Sequence, residues 1–297
     1  MPENKLKDYL QLHFIVFLWG FTAILGALIT INAIPLVWFR MLLAVFFIGI
    51  YFLIKKKSFL IDSKAILKFL LTGIIIAMHW VAFFKAIKVS NISVAMVTMS
   101  TGAFFASFME PFFFKRKLKL LEIFLGLLVI VGLYIIFNFE TNYYLGIMYA
   151  LIAAFLAALF SVLNGVFVKK HSAEIISFYQ LLFGTLFISV YLLFTNQFSI
   201  AFFSLSGLDW IYLLILSSIC TAYAFIISVK VMKVISPFTV VLTLNLEPIY
   251  AIVLALLIFG EKEKMNPEFY YGTVIVFLVV LLNSILKKKT PVPKKND

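Results

Sequence analysis

The chain has 297 residues, of which 64% are apolar and 18% aromatic against 13% charged, and it carries a formal net charge of +12. That balance lies outside the range of soluble globular domains, leaves no room for a large aqueous domain, and predicts an all-α polytopic membrane protein. The positive charge is spread over short hydrophilic segments and a lysine-rich tail, a pattern suited to anionic lipid headgroups and not to a nucleic-acid partner.

A helix needs about 20 apolar residues to cross the hydrocarbon core. Ten such stretches are predicted, at 11–31, 35–54, 67–87, 92–114, 120–138, 145–168, 175–195, 208–229, 237–259 and 268–286. The first follows a short basic flank, Lys5 and Lys7, with no small-residue cleavage pattern, so it is expected to be retained. It contains Trp19-Gly20. The second begins at Pro35, where a missing N–H is tolerated, and holds Arg40. The third has His79 and Trp80 near its middle and Lys68 and Lys85 at margins from which they can snorkel. The fourth presents Val94, Thr98, Gly102, Ala106 and Glu110 on one face, with Pro111 next to the glutamate. The fifth holds Gly126 and Gly132, small enough for a close helix contact either with a second copy in a homodimer or within the chain. In the sixth, Asn164 stands beside the small stripe Ala153, Ala157, Ser161 and Gly165 and is expected to bond a neighbouring helix. The seventh has Gln180; the eighth has Cys220, a packing residue with no partner for a disulfide, and Tyr223. Ser236 caps the ninth, which carries Thr239, Thr243, Asn245, Glu247, Pro248 and Tyr250. Asn266 and Pro267 open the tenth.

Lysine and arginine collect in cytoplasmic loops. With the N-terminus inside, the inside segments hold Lys55, Lys56, Lys57, Lys64, the Lys115–Lys119 cluster, Lys169, Lys170, Lys230, Lys233 and the tail, whereas the outside segments hold only Lys85, Lys88, Lys262 and Lys264. Both termini are therefore expected on the cytoplasmic side of a multi-pass protein.

An offset of 145 residues matches Lys85, Lys88, Val89 and Thr98 to Lys230, Lys233, Val234 and Thr243, joining a span that ends in Lys-x-x-Lys to the span that follows it in both halves. Five spans per half is an odd number, so the second copy must lie inverted relative to the first. The expected organisation is one transmembrane domain made of residues 1–140, the first five-helix repeat, and 141–297, the second repeat with its basic tail. Inverted repeats place a central cavity and the substrate site at their interface near mid-depth.

Polar groups within the spans are the candidates for that site, because a charge in hydrocarbon is costly and faces a cavity or a partner. Glu247 lies near mid-depth, too far from either end to snorkel, on a stripe with Thr239, Thr243, Ala251 and Ala255. Such small-residue stripes also pack helices together. His79 is either a satisfied packing group or, with Glu247, part of a proton relay, since imidazole titrates near neutrality. Arg40 either grips a carboxylate by a two-pronged bond or anchors its helix at the outer interface. Glu110 either serves the pathway or pairs with the basic loop after it. Trp80, Tyr223, Asn245, Tyr250, Thr98 and Thr243 are further candidates for solute contact, along with Trp19. Pro111 and Pro248 each free a backbone carbonyl one turn earlier, and mark a hinge or a static kink.

Trp19-Gly20, Arg40 early in the second span, and Leu246-Glu247-Pro248-Ile249-Tyr250 leading to Phe259-Gly260-Glu261 resemble the EamA-type permeases of the drug/metabolite transporter superfamily. The first half departs from the pattern, with Lys115-Arg116 where the second has Gly260-Glu261. The resemblance implies a basket of spans 1–4 and 6–9 around the cavity, spans 5 and 10 peripheral and at a dimer contact, residence in the cytoplasmic (inner) membrane, and movement of amino acids and other small metabolites, commonly outward.

No phosphate loop, dinucleotide cradle, His-Glu-x-x-His or paired-cysteine site occurs. The expectation is a secondary transporter without cofactor or metal, not an enzyme, taking a small-molecule substrate within a lipid bilayer and coupled to protons. The alternatives are an uncoupled facilitator, an uptake permease for organic cations or other metabolites, and an integral-membrane lipid-modifying enzyme. The last would need a cluster of acids, bases or metal ligands at one interface, which scattered Glu247, His79 and Arg40 do not supply.

Overall fold

The computed structural model describes residues 3–114, 120–139 and 141–288. Among the described residues the regular structure is helical throughout, without a strand. The helices are α1 (Glu3–Leu28), α2 (Ala33–Ile54), α3 (Ser63–Val89), α4 (Ile92–Met99), α5 (Gly102–Phe113), α6 (Leu120–Phe139), α7 (Tyr144–Phe167) and α8 (Ala173–Phe194). After these come α9 (Ile200–Phe203), α10 (Gly207–Ser217), α11 (Ala224–Val231), α12 (Pro237–Thr243), α13 (Glu247–Phe259) and α14 (Pro267–Lys288). The protein is a polytopic membrane protein. Among the described residues, seven stretches are long and apolar enough to cross a membrane: Leu6–Leu28, Ala33–Ile54, Ser63–Val89, Ile92–Phe113, Tyr144–Phe167, Ala173–Phe194 and Gly207–Val231. The other three stretches expected from the sequence are helical as α6, as α12 with α13, and as α14. The ninth is divided, and the described apolar run of the tenth is the shorter Pro267–Val279.

Three of the stretches are interrupted, each for a local reason. Between α4 and α5, Ser100 Oγ donates to the Val97 carbonyl at 2.6 Å and Thr101 Oγ1 to the Thr98 carbonyl at 2.7 Å, so hydroxyls compete with the helical ladder. The discontinuity expected at Pro111 lies here instead; Pro111 sits inside α5, which continues to Phe113. Between α10 and α11 the chain makes a π turn, Ser218–Tyr223, in which the Thr221 hydroxyl bonds the Leu216 carbonyl five residues back at 2.7 Å. Between α12 and α13 a 3₁₀ turn, Leu244–Leu246, precedes Pro248, which stands in the first turn of α13 where its missing N–H costs nothing. The Leu244–Leu246 turn falls 145 residues after the Ser100–Thr101 break, the offset that also pairs Lys88 with Lys233.

The helices of the two halves interleave. α3 packs chiefly on α7 and α8, α2 on α8 and α10, α1 on α13 and α11, and α6 on α14. At the α3–α8 crossing Gly73 faces Gly184, and a Cβ on Gly184 would come within 2.8 Å of the Gly73 carbonyl, so the backbones touch only because both residues lack side chains. Gly132 is likewise taken up within the chain, where a Cβ would meet Val276 at 2.8 Å and the Gly272 carbonyl at 3.1 Å. Leu36, Ile76, Phe84 and Phe225 are fully or almost fully buried between these helices, while Phe46, Leu53, Leu186 and Leu257 turn outward as a lipid-facing surface would require.

One end of the bundle is tied shut across the halves. Asp209, at the start of α10, accepts from the Thr30 N–H and hydroxyl, both at 2.7 Å, and from Ser206 Oγ at 2.8 Å. Beside it Lys88 Nζ donates to the Ile29 carbonyl at 2.8 Å. Gly260 ends α13 at φ +56°, a conformation glycine adopts without strain, and the following 3₁₀ turn brings Glu263 onto the first turn of α4. There its carboxylate accepts from the N–H groups of Ile92 (3.0 Å) and Ser93 (2.9 Å) and from Ser93 Oγ (2.9 Å). At the opposite end Lys57 pairs with Glu174 at 2.6 Å, a bond that holds the Lys57 ammonium above the ordinary lysine range.

Candidate functional site

Between the halves lies a cavity of about 70 Å³ lined from α1, α2, α3, α7, α11 and α12, and by Met99, Met232, Leu244 and Glu247. At roughly 10–15 Å³ per water centre this holds several waters or the polar head of a small solute.

Arg40 reaches it from α2 and is 1% exposed, which rules out the interface-anchor reading: the side chain runs into the protein and not to a membrane surface. Its Nε donates to Thr221 Oγ1 at 2.6 Å, its guanidinium lies 4.0 Å over the Trp80 ring, and among the described residues Nη1 has no hydrogen-bond partner. The π turn makes this arrangement possible. Ala224 N–H bonds the Ile219 carbonyl where a regular helix would use Cys220. The freed Cys220 carbonyl accepts from Trp19 Nε1 at 3.0 Å, so the turn is held by Trp19 on one side while it offers Thr221 to Arg40 on the other. Gly20, next in sequence, lets α1 pass against the start of α13, where a Cβ would meet Tyr250 Cβ at 2.9 Å and the Glu247 carbonyl at 3.1 Å.

Glu247 opens α13 and lines the same cavity; it is partly exposed, and the cavity borders it. His79 lines it from α3 with Nδ1 2.8 Å from the Ala153 carbonyl. A carbonyl only accepts, so Nδ1 carries the hydrogen and Nε2 of the neutral ring keeps an acceptor lone pair. The ring packs edge-on against Phe160. Asn164 bonds a neighbouring helix as expected, accepting from Gln180 Nε2 at 2.7 Å, but it also borders the cavity, and among the described residues its Nδ2 has no partner.

Arg40, His79, Trp80 and Glu247 are thus brought together, and several other candidates are not. Thr98 is completely buried away from the cavity. Thr243 spends its hydroxyl on the Thr239 carbonyl at 2.8 Å. Tyr250 lies edge-on to Phe17, and Tyr223 lies edge-on to Phe14 with 42% of its surface exposed. Glu110 lines a separate pocket near the end of α5. The Asn245 side chain lies outside the described residues, as does Gly126 among the packing glycines. Thr221, Thr22, Phe160 and Phe225 carry no signal in the sequence, because serine, threonine and phenylalanine are common in every span.

The arrangement sets a guanidinium with an unused donor and a carboxylate on one small cavity, with aromatic walls. Comparison with known proteins agrees with a transport role. A curated protein of Clostridium kluyveri described as an uncharacterized transporter is 25% identical over 275 residues, covering 86% of each chain. A solved crystal structure shares the fold, with a TM-score of 0.70 and 13% identity over 95% of this chain and 99% of that one. The model of the EamA-like transporter family matches twice, at residues 8–138 and 144–285. Two copies spanning nearly the whole sequence place the chain in the EamA-like transporter family.

Proposed function

We propose that this membrane transporter moves amino acids or related small zwitterions through the central cavity by alternating access, outward across the cytoplasmic membrane and coupled to protons. In this reading ten helices cross the bilayer as two inverted halves, and the Lys57 end faces the cytoplasm. The observation that carries it is the pairing of Arg40, with Nη1 unpartnered, and Glu247 on the wall of one cavity. A guanidinium is shaped to grip a carboxylate and a carboxylate to accept from an ammonium, so together they complement a zwitterion. His79 Nε2 offers a proton acceptor on the same wall. The discontinuous α4–α5 and α12–α13 stretches support alternating access, since broken helices at matching positions of two halves are where such transporters bind their solutes. The positive-inside orientation is supported by Lys55, Lys56, Lys57, Lys169, Lys170 and Lys233 at one end.

Flux of labelled amino acids and organic cations in proteoliposomes, with and without a pH gradient, tests this. The wild type is expected to move amino acids in response to the gradient, and Glu247→Gln to lose at least about tenfold of that flux, the scale of one strong polar contact to a charged group. Flux indifferent to the gradient would leave an uncoupled facilitator, and transport of cations without amino acids would sink the zwitterion reading.

A further inference from the structure

At the Lys57 end a second, more open pocket of about 360 Å³ lies between the ends of α5, α7 and α11. Lys169, Lys233, Glu110 and Met232 are on its wall, and Met232 also lines the central cavity. This methionine is buried, 7% exposed, where it borders both hollows. Lys169 is oriented by Phe114, whose ring lies 4.8 Å from Nζ. Among the described residues, two ammonium groups against one carboxylate leave the pocket wall net positive.

Lys233 is the counterpart of Lys88 at the 145-residue offset. Lys88 uses its ammonium on the Ile29 carbonyl, within the network that ties the opposite end shut. Lys233 is exposed; its backbone N–H bonds the Lys230 carbonyl at 3.1 Å, but among the described residues its ammonium makes no hydrogen bond. The same position of the repeat therefore closes one end and lines an open pocket at the other. The opposite end is laced by Asp209 and Glu263, and Met232 is the residue that lines both the central cavity and the pocket at the Lys57 end.

The geometry points to a second solute site: a basic vestibule in which Lys169 and Lys233 hold an anionic group such as a carboxylate, separated from the central cavity by Met232 acting as a movable plug. Methionine suits the plug, because an unbranched thioether changes rotamer at little cost where a branched side chain would jam. The anionic solute rests on the function proposed above; the vestibule and its plug do not.

The test uses charged thiol reagents and no solute, so its failure is distinguishable from a failure of amino-acid transport. Cys220 is the chain's single cysteine, so Cys220→Ala provides a thiol-free background. Into it go Ser236→Cys, on the vestibule wall, and Ser161→Cys, on the wall of the central cavity beyond Met232. Each is treated in sealed vesicles with an anionic and a cationic methanethiosulfonate, applied in turn to either face. At Ser236→Cys, replacing both lysines by glutamine is expected to lower the anionic-to-cationic rate ratio about tenfold, the lower end of what electrostatic focusing in a cleft supplies. Taking the ratio cancels any change in the thiol itself. At Ser161→Cys, labelling from the Lys57 face is expected to accelerate about tenfold in Met232→Ala, as a packed gap opens. Met232→Trp is expected to slow it, which keeps the test decisive if the alanine variant does not fold. A rate ratio unmoved by the lysine substitutions would overturn the basic site, and Ser161→Cys labelling indifferent to residue 232 would overturn the plug.

Discussion

Arg40 illustrates how a charge is accommodated deep in a membrane protein. Removing a guanidinium from water costs several kcal/mol unless its donors and its charge are met. Here Thr221 takes Nε and the Trp80 face lies under the cation, a contact worth about 0.5–2 kcal/mol, yet Nη1 is left without a partner. In the proposed function, this unused donor is what the carboxylate of the solute meets. Thr221 acts through Arg40 as a positioning residue. Thr221→Val keeps the shape and deletes the acceptor, and a hydrogen bond to a charged group is worth about 1.5–3 kcal/mol. The expected result is a KM for the transported solute raised at least about tenfold with the melting temperature little changed, and recovery in Thr221→Ser. An unchanged KM would mean that Trp80 alone orients the guanidinium.

At the scale of elements, the tight helix crossings depend on glycine and the site depends on irregular turns. Gly73→Leu would drive a side chain into the α3–α8 crossing, where a Cβ on residue 73 would stand 3.1 Å from the Gly184 N and closer still to the Gln180 carbonyl. Overpacking of this kind costs about 1–3 kcal/mol, so the detergent-solubilised protein should melt several degrees lower. Gly49→Ala, whose Cβ would find only the Phe178 ring at 3.8 Å, should be neutral in the same assay. Equal melting of the two would mean that α3 and α8 are free to separate. The π turn at Ser218–Tyr223 and the breaks at Ser100–Thr101 and Leu244–Leu246 likewise decide which side chains reach the cavity. Apolar length located the stretches that contain them but is blind to an extra residue in a turn.

The whole molecule shows one end sealed and the other furnished with a pocket. Asp209 and Glu263 are 2% and 5% exposed, and both belong to the second half while their partners Thr30, Ile92 and Ser93 belong to the first. Charge-assisted bonds of this kind are about twice as strong as neutral ones. Combining Asp209→Asn with Glu263→Gln should loosen the seal, and Ser161→Cys should then become reactive from the Thr30 face, from which it is expected to be protected in the parent. Continued protection would show that apolar packing, not the carboxylates, closes that end.

Much of this was legible without coordinates, and the division has a physical cause. The sequence by itself determined membrane residence, the positions of the helical stretches and the duplication, because hydrocarbon imposes a minimum apolar length and a repeated unit repeats its spacing. It also picked out Arg40, His79 and Glu247, since ionisable groups stand out in apolar runs. Only the tertiary structure decided that these three share a cavity with Trp80 while Thr98, Thr243, Tyr223 and Tyr250 do not, that Thr221 and Asn164 join them, and that Arg40 points inward. Depth along a helix follows from counting residues, but the direction a side chain faces depends on how its helix is rotated, broken and packed against the others.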